Sequence, residues 1–132
     1  MIPFELVSPE RRLATMEVQG VRIPGSEGDM TVMAHHAPLI STLRPGILGI
    51  ESSEEPQEYI VFGGFTQVTA ERVSVLAERA VPKSEFTEEI LSTEIEQAEN
   101  AVTKAEASSD HAAIDGATKR LADIRALAAH VA

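Results

Sequence analysis

Between Pro24 and Gly46 the chain reads PGSEGDMTVMAHHAPLISTLRPG, a stretch with three of its eight glycines, three of its seven prolines and two of its four histidines. So many backbone-special residues fix where the chain must change direction. Pro24-Gly25 and Pro45-Gly46 each read as a type II turn, with Pro presetting one dihedral and Gly taking positive φ. Between these corners, residues 30–33 and 39–43 are short segments able to bury one side. The stretch is therefore expected to be a fixed, polar-tipped loop system on a β scaffold, and the functional surface is expected at its tip.

The flanking sequence supports a β scaffold. Phe4 and Leu6 alternate with Glu5, and Ser8-Pro9-Glu10 makes a turn. Met16 and Val18 alternate with polar neighbours at period two. The apolar parity then shifts to Val21 and Ile23 after Gly20, which an inserted residue or an ordinary turn would each produce. Further short strands are expected at 47–50, 58–62, 65–69 and 72–78. The second is apolar almost throughout, as in a strand covered on both faces. Residues 51–56 read as a polar hairpin loop. Short strands at near-regular spacing argue for a sandwich or barrel.

The pattern changes near Val81-Pro82-Lys83-Ser84. Beyond it there is one glycine, Gly116, and no proline. Thr87 is placed to cap a helix, with Glu88 and Glu89 favoured by the dipole of the first turn. Leu91, Ile95, Ala98, Val102 and Ala105 follow at helical spacing. Asp110 caps again, and Ile114, Ala117, Leu121, Ile124, Ala128 and Val131 continue the seam. A short connection makes the two helices antiparallel neighbours. The expected fold class is α+β: an antiparallel β-sandwich over 1–83 and an antiparallel two-helix hairpin over 84–132. Four of these eleven seam residues are Ala, which buries little area. The first helix carries six acids against Lys104 alone. A weakly held hairpin is a candidate moving part, and a static hairpin packed on the sandwich is the other reading.

The formal net charge of −10 would repel a phosphate backbone or an anionic lipid surface, so neither nucleic acid nor direct lipid insertion is expected. The absence of Cys removes disulfides, thiolate zinc sites and cysteine nucleophiles. No apolar run approaches the roughly 20 residues of a membrane span. The first residues lack the basic start and apolar stretch of a signal peptide. A soluble protein is expected, able to dock on a membrane complex through protein contacts.

No catalytic constellation is visible. His35-His36 with Glu27 and Asp29 nearby suggests a metal site of the cupin kind, but adjacent strand residues point to opposite faces. A turn-capping or interface role suits the histidines better. Gly25-Ser26-Glu27-Gly28 is no phosphate loop, since neither a Lys nor a helix follows. Ser8, Ser26 and Ser41 stand in no spacing to a His that makes a nucleophile–base pair. No cofactor, no metal and no catalytic residue are expected. A binding or structural subunit is favoured, with a small cupin-like metal-dependent enzyme carrying a helical dimerisation arm as the alternative.

Val7-Ser8-Pro9-Glu10, Pro24-Gly25-Ser26-Glu27-Gly28-Asp29, His36-Ala37-Pro38-Leu39 and Leu43-Arg44-Pro45-Gly46, in this order and spacing, closely resemble the epsilon subunit of F-type ATP synthase. Gly63-Gly64-Phe65, Leu76-Ala77-Glu78 and the Ala- and Glu-rich hairpin match in layout. The resemblance implies a ten-stranded sandwich followed by two helices, in a non-catalytic part of the rotor that binds the gamma subunit and the c-ring. It implies a place on the cytoplasmic face of the bacterial inner membrane, as a peripheral part of the complex. On the family pattern Glu27, Asp29 and His36 would meet the ring's polar loops, which often carry Arg, and Ser8 would face gamma. In many members the hairpin extends along gamma, contacts the catalytic head and blocks rotation in the hydrolysis direction. With only Lys119, Arg120 and Arg125 as fixed cations in the second helix, a strong inhibitory grip is not expected here. Some members bind ATP through Ile/Leu-Asp-x-x-Arg-Ala in the first helix. Here Ile95-Glu96-Gln97-Ala98-Glu99-Asn100 places Glu99 where the Arg should be, so ATP binding is expected to be absent or very weak.

Overall fold

A computed structural model of the chain describes residues 1–52 and 57–131, the last two as backbone alone. It divides into two compact units, Met1–Glu85 and Phe86–Ala132. Most of the polar loop expected at 51–56, with Glu54 and Glu55, lies outside the described residues, as does the side chain of Val131.

The described residues of the first unit form ten strands: β1 (Ile2–Val7), β2 (Arg12–Val18), β3 (Gly20–Gly25), β4 (Gly28–Met33), β5 (Leu39–Leu43), β6 (Gly46–Glu51), β7 (Gln57–Val61), β8 (Gly64–Val68), β9 (Val73–Ala77) and β10 (Ala80–Pro82). Their order is β10-β7-β6-β3-β5-β8-β9-β1-β2, with β4 added on β3. Neighbours pair antiparallel, with the exception of β1 and β9, which run parallel. These two strands are far apart in sequence, so no hairpin fixes their relative direction. A 3-10 turn, Lys83–Glu85, closes the unit, and Glu85 there pairs with Arg11 at 3.2 Å.

The core follows the alternation. Phe4, Leu6, Val18, Val21, Ile23, Val32, Leu48, Ile50 and Val75 are all within 2% of complete burial. Each contributes about 1.5–3 kcal/mol by leaving water. Val73, Val75 and Ala77 share the inward face of β9, as the pattern predicts. Tyr59, Ile60, Val61 and Phe62 are all buried, so β7 is covered on both faces. The parity shift after Val18 falls where the chain changes partners. β2 pairs with β1, whereas β3 pairs with β6 and β4, and between them Gln19 N–H donates to Glu51 C=O at 2.8 Å.

The two proline–glycine corners differ from expectation. Pro24 and Gly25 are buried within β3, and Gly46 opens β6. Neither glycine has positive φ. Each is needed for space instead: a Cβ on Gly25 would stand 2.7 Å from the Gly28 carbonyl oxygen, and one on Gly46 2.8 Å from Pro24 Cβ. The turn proper is Ser26-Glu27, closed by the Gly25–Gly28 pair.

The second unit is a pair of helices, α1 (Glu88–Ser108) and α2 (His111–Val131). Thr87 caps α1 by accepting from Ile90 N–H at 3.2 Å, and Asp110 caps α2 by accepting from Ala112 N–H at 3.1 Å. Both caps satisfy amides that have no partner inside the helix. Ala98, Ala105, Leu121 and Ile124 are buried as the seam predicts. Leu127 and Glu94 are buried too, off the predicted seam. Arg120 approaches Glu94 at 4.0 Å, and Arg125 meets Glu99 at 3.3 Å, so both ion pairs link the two helices.

Candidate functional site

The β3–β4 hairpin carries Glu27 in its turn and Asp29 at the start of β4, both exposed. Arg44, just past β5, holds this hairpin. Its main-chain N–H donates to Pro24 C=O at 3.0 Å, its Nη1 donates to Gly25 C=O at 2.6 Å, and its Nη2 makes a short contact with Asp29 Oδ1. Ser26 N–H donates to Thr42 C=O at 2.8 Å, which ties the turn to β5 from the other side. Glu27 has no ion pair or hydrogen bond among the described residues.

His36 is elsewhere. β4 runs from Gly28 to Met33, and the turn that carries the histidines begins only there, with His36 N–H donating to Met33 C=O at 3.2 Å. Four residues of extended strand between Asp29 and Met33 span about 13 Å. The single acid-and-imidazole tip expected from the sequence is therefore not formed, because strand direction sends its two halves to opposite ends of β4. His36 Nδ1 lies 2.8 Å from its neighbour's carbonyl, Ala37 C=O, and His35 takes φ 66°. Among the described residues no group of three or more His, Asp or Glu side chains is arranged to hold a metal ion.

Ser8 is buried in the β1–β2 turn. Its N–H donates to Arg11 C=O at 2.9 Å and its Oγ to the same oxygen at 3.3 Å. Next to it opens a concavity of about 720 Å³ lined by Val7, Pro9, Thr42, Phe65, Leu76 and Glu78, among others. Strand register explains the lining. Thr42 pairs with Phe65, Phe65 with Leu76, and Leu76 with Val7, so one outward row crosses four strands. Phe65 is 45% exposed and Leu76 42%, and Ile40, two residues from Thr42 on β5, is 74% exposed. Exposed apolar side chains grouped in this way are a feature of contact surfaces. The same register sets Ser8 and the Ser26-Glu27 turn at one end of the strands, since Leu43 pairs with both Gly25 and Gly64, and Gly64 pairs with Ala77.

On α1, Glu99 is exposed and paired with Arg125, and Ile95 is half-buried. No helix among the described residues is long and apolar enough to cross a membrane.

A sandwich with an apolar outer face and a clasped acidic turn has the features of a subunit that docks on other chains. Residues 1–83 match the family described as ATP synthase, Delta/Epsilon chain, beta-sandwich domain. The ATP synthase epsilon chain of Ruegeria sp. (strain TM1040) is 51% identical over 97% of this chain and 94% of the relative. That of Rhodobacter capsulatus is 45% identical over the same shares. Among solved structures, a chain of the Euglena gracilis mitochondrial ATP synthase, in an OSCP/F1/c-ring assembly, matches with a TM-score of 0.72. It is 28% identical, and the match covers 99% of this chain and 81% of that one. The protein belongs to the epsilon-chain family of ATP synthase, and is by kinship a subunit of that complex. The cupin-like alternative finds no support among these relatives.

Proposed function

We propose that the protein is the non-catalytic epsilon subunit of the rotor of a proton-translocating ATP synthase, joining the gamma subunit to the c-ring and coupling proton flow to ATP synthesis. It would act at the cytoplasmic face of a bacterial inner membrane, peripheral to the bilayer. Residues 1–83 would make the contacts, with the hairpin at 84–132 as a separate unit. The observation that carries this reading, beside the kinship, is the apolar row Thr42–Phe65–Leu76–Val7 beside Ser8. It suits a gamma contact better than Ser8 itself, whose hydroxyl is engaged in its own turn. The ring contact is assigned to Glu27 and Asp29. His36, at the other end of β4, is left out of it.

The test is co-purification from solubilised membranes. With Phe65 and Leu76 both replaced by Asp, recovery of gamma with the chain should fall at least about tenfold, as when a hot-spot pair is lost from an interface. The far-ultraviolet circular dichroism should not change, because both side chains face outward. Full recovery of gamma by that variant would remove the face assignment.

A further inference from the structure

Resting on the ring contact just proposed, we infer that Arg44 is the positioning residue of the ring-facing turn. Glu27, not Asp29, is then the carboxylate left free for a basic side chain of the partner.

The hairpin turn projects from β3 and β4, and β4 pairs with no strand other than β3 among the described residues. A turn on an edge strand would fray unless something beyond the hairpin held it. Arg44 does so from a point fifteen residues further along. One arm of its guanidinium takes the last carbonyl of β3 and the other takes the first side-chain carboxylate of β4. Its main chain pairs with Pro24 at the same time. The side chain is only 27% exposed, and Pro45 after it restricts its backbone to the extended region, so little freedom remains to be lost on clasping. A forked guanidinium is needed for two acceptors in different directions, which one ammonium does not span.

The clasp divides the labour of the two acids. Asp29 has its charge compensated by Arg44, although 78% of its side chain is exposed. Glu27 is exposed at the apex, without a hydrogen bond or ion pair among the described residues. A cation approaching this end meets an uncompensated carboxylate at Glu27 and a compensated one at Asp29.

Charge and position give opposite expectations for Arg44. If it acted through charge alone, Arg44→Gln would make the turn more acidic and tighten binding to a basic loop. If it positions Glu27, the same change loosens binding. The experiment titrates the full chain, in complex with gamma, against detergent-solubilised c-ring at low and moderate salt. Glu27→Gln should weaken binding about tenfold and flatten the salt dependence, the effect of losing one charge-assisted contact. Asp29→Asn, which removes the same charge from the same turn but keeps an oxygen that can accept from Arg44, should weaken binding less than Glu27→Gln does. Arg44→Gln and Arg44→Lys should both weaken binding, with faster hydrogen exchange at the Ser26 amide in the uncomplexed chain. Unchanged binding by Glu27→Gln, or tighter binding by Arg44→Gln, overturns the inference while leaving the ring contact in place. Failure of the unsubstituted complex to bind the ring overturns the ring contact and this inference with it.

Discussion

Arg22 lies flat across Gly49, on the strand beside its own, and a Cβ at position 49 would stand 2.7 Å from its Cζ. Over that gap the guanidinium comes within 3.9 Å of Glu58 on the next strand, which Lys83 also holds at 3.1 Å. Gly49→Ala would push aside only the end of a flexible side chain. The loss of exposed ion pairs, under about 1 kcal/mol, is then offset by the gain of about 0.5–1 kcal/mol that Ala brings to a strand. Gly64 is the contrast: its φ is 123°, and an added Cβ would run into the main-chain oxygen of Leu76. In urea denaturation Gly49→Ala should lie within about 0.5 kcal/mol of the parent, and Gly64→Ala should cost about 3 kcal/mol or more. Similar losses for the two would show that main-chain crowding at Gly64 is not what selects glycine.

Thr66 lies fully buried in β8, and its hydroxyl has no hydrogen-bond partner among the described residues. Val has nearly the same shape and no polar atom to leave unsatisfied. Thr66→Val should therefore stabilise the sandwich by about 1 kcal/mol. Differential scanning calorimetry would read this as a higher melting temperature, and a lower one would mean that the hydroxyl is satisfied in solution.

Where chemistry is local, the sequence is readable. Thr87 and Asp110 cap their helices because a cap needs only its own next few amides, and Val73, Val75 and Ala77 face inward because alternation needs only their own strand. Pro45-Gly46 misleads because the reason for its glycine is Pro24, a neighbour brought against it only by folding. The three-residue strand β10 is too short to show a period, and its partner β7 lies about twenty residues back. The same limit applies to the site. Glu27 and Asp29 stand out as acids in a turn, but the Arg44 that ties one of them is recruited from beyond the next strand. Val7, Thr42, Phe65 and Leu76 each read as an isolated outward residue, and register alone joins them into a face.

Ser109 ends α1 in the left-handed region at φ 59°, with its N–H donating to Glu106 C=O at 3.2 Å. His35 occupies the same region at φ 66° in the β4–β5 connection. An L side chain costs roughly 1 kcal/mol there, and glycine relieves it. Ser109→Gly should raise the stability of the hairpin, seen in helical circular dichroism on heating, and His35→Gly that of the sandwich. The gains should add, because the positions belong to separate units. A loss at either position would show that the side chain contributes more than its backbone strain costs.

Tyr59 is the chain's one tyrosine, which makes its phenol a clean optical probe. Burial pushes its pKa above the usual 10.0, Glu85 adds to the rise, and Arg11 opposes it. The hydroxyl donates to Gln57 Oε1 at 3.2 Å, a bond available only while the proton stays on. Phenolate absorbance in the folded chain should therefore appear at higher pH than in urea. Arg11→Gln should move the transition further up, and Glu85→Gln should move it down. The folded-state pKa is the higher of the two, so the folded state holds the proton longer. The corresponding stability is fully present below about pH 10 and is lost as pH rises through the folded-state value. Comparing Tyr59→Phe with the parent isolates this from the lysines that titrate nearby in pH: the parent should lose stability faster above pH 10. Parallel curves for the two proteins, with a phenolate transition at the same pH folded and unfolded, would mean that Tyr59 is open to solvent.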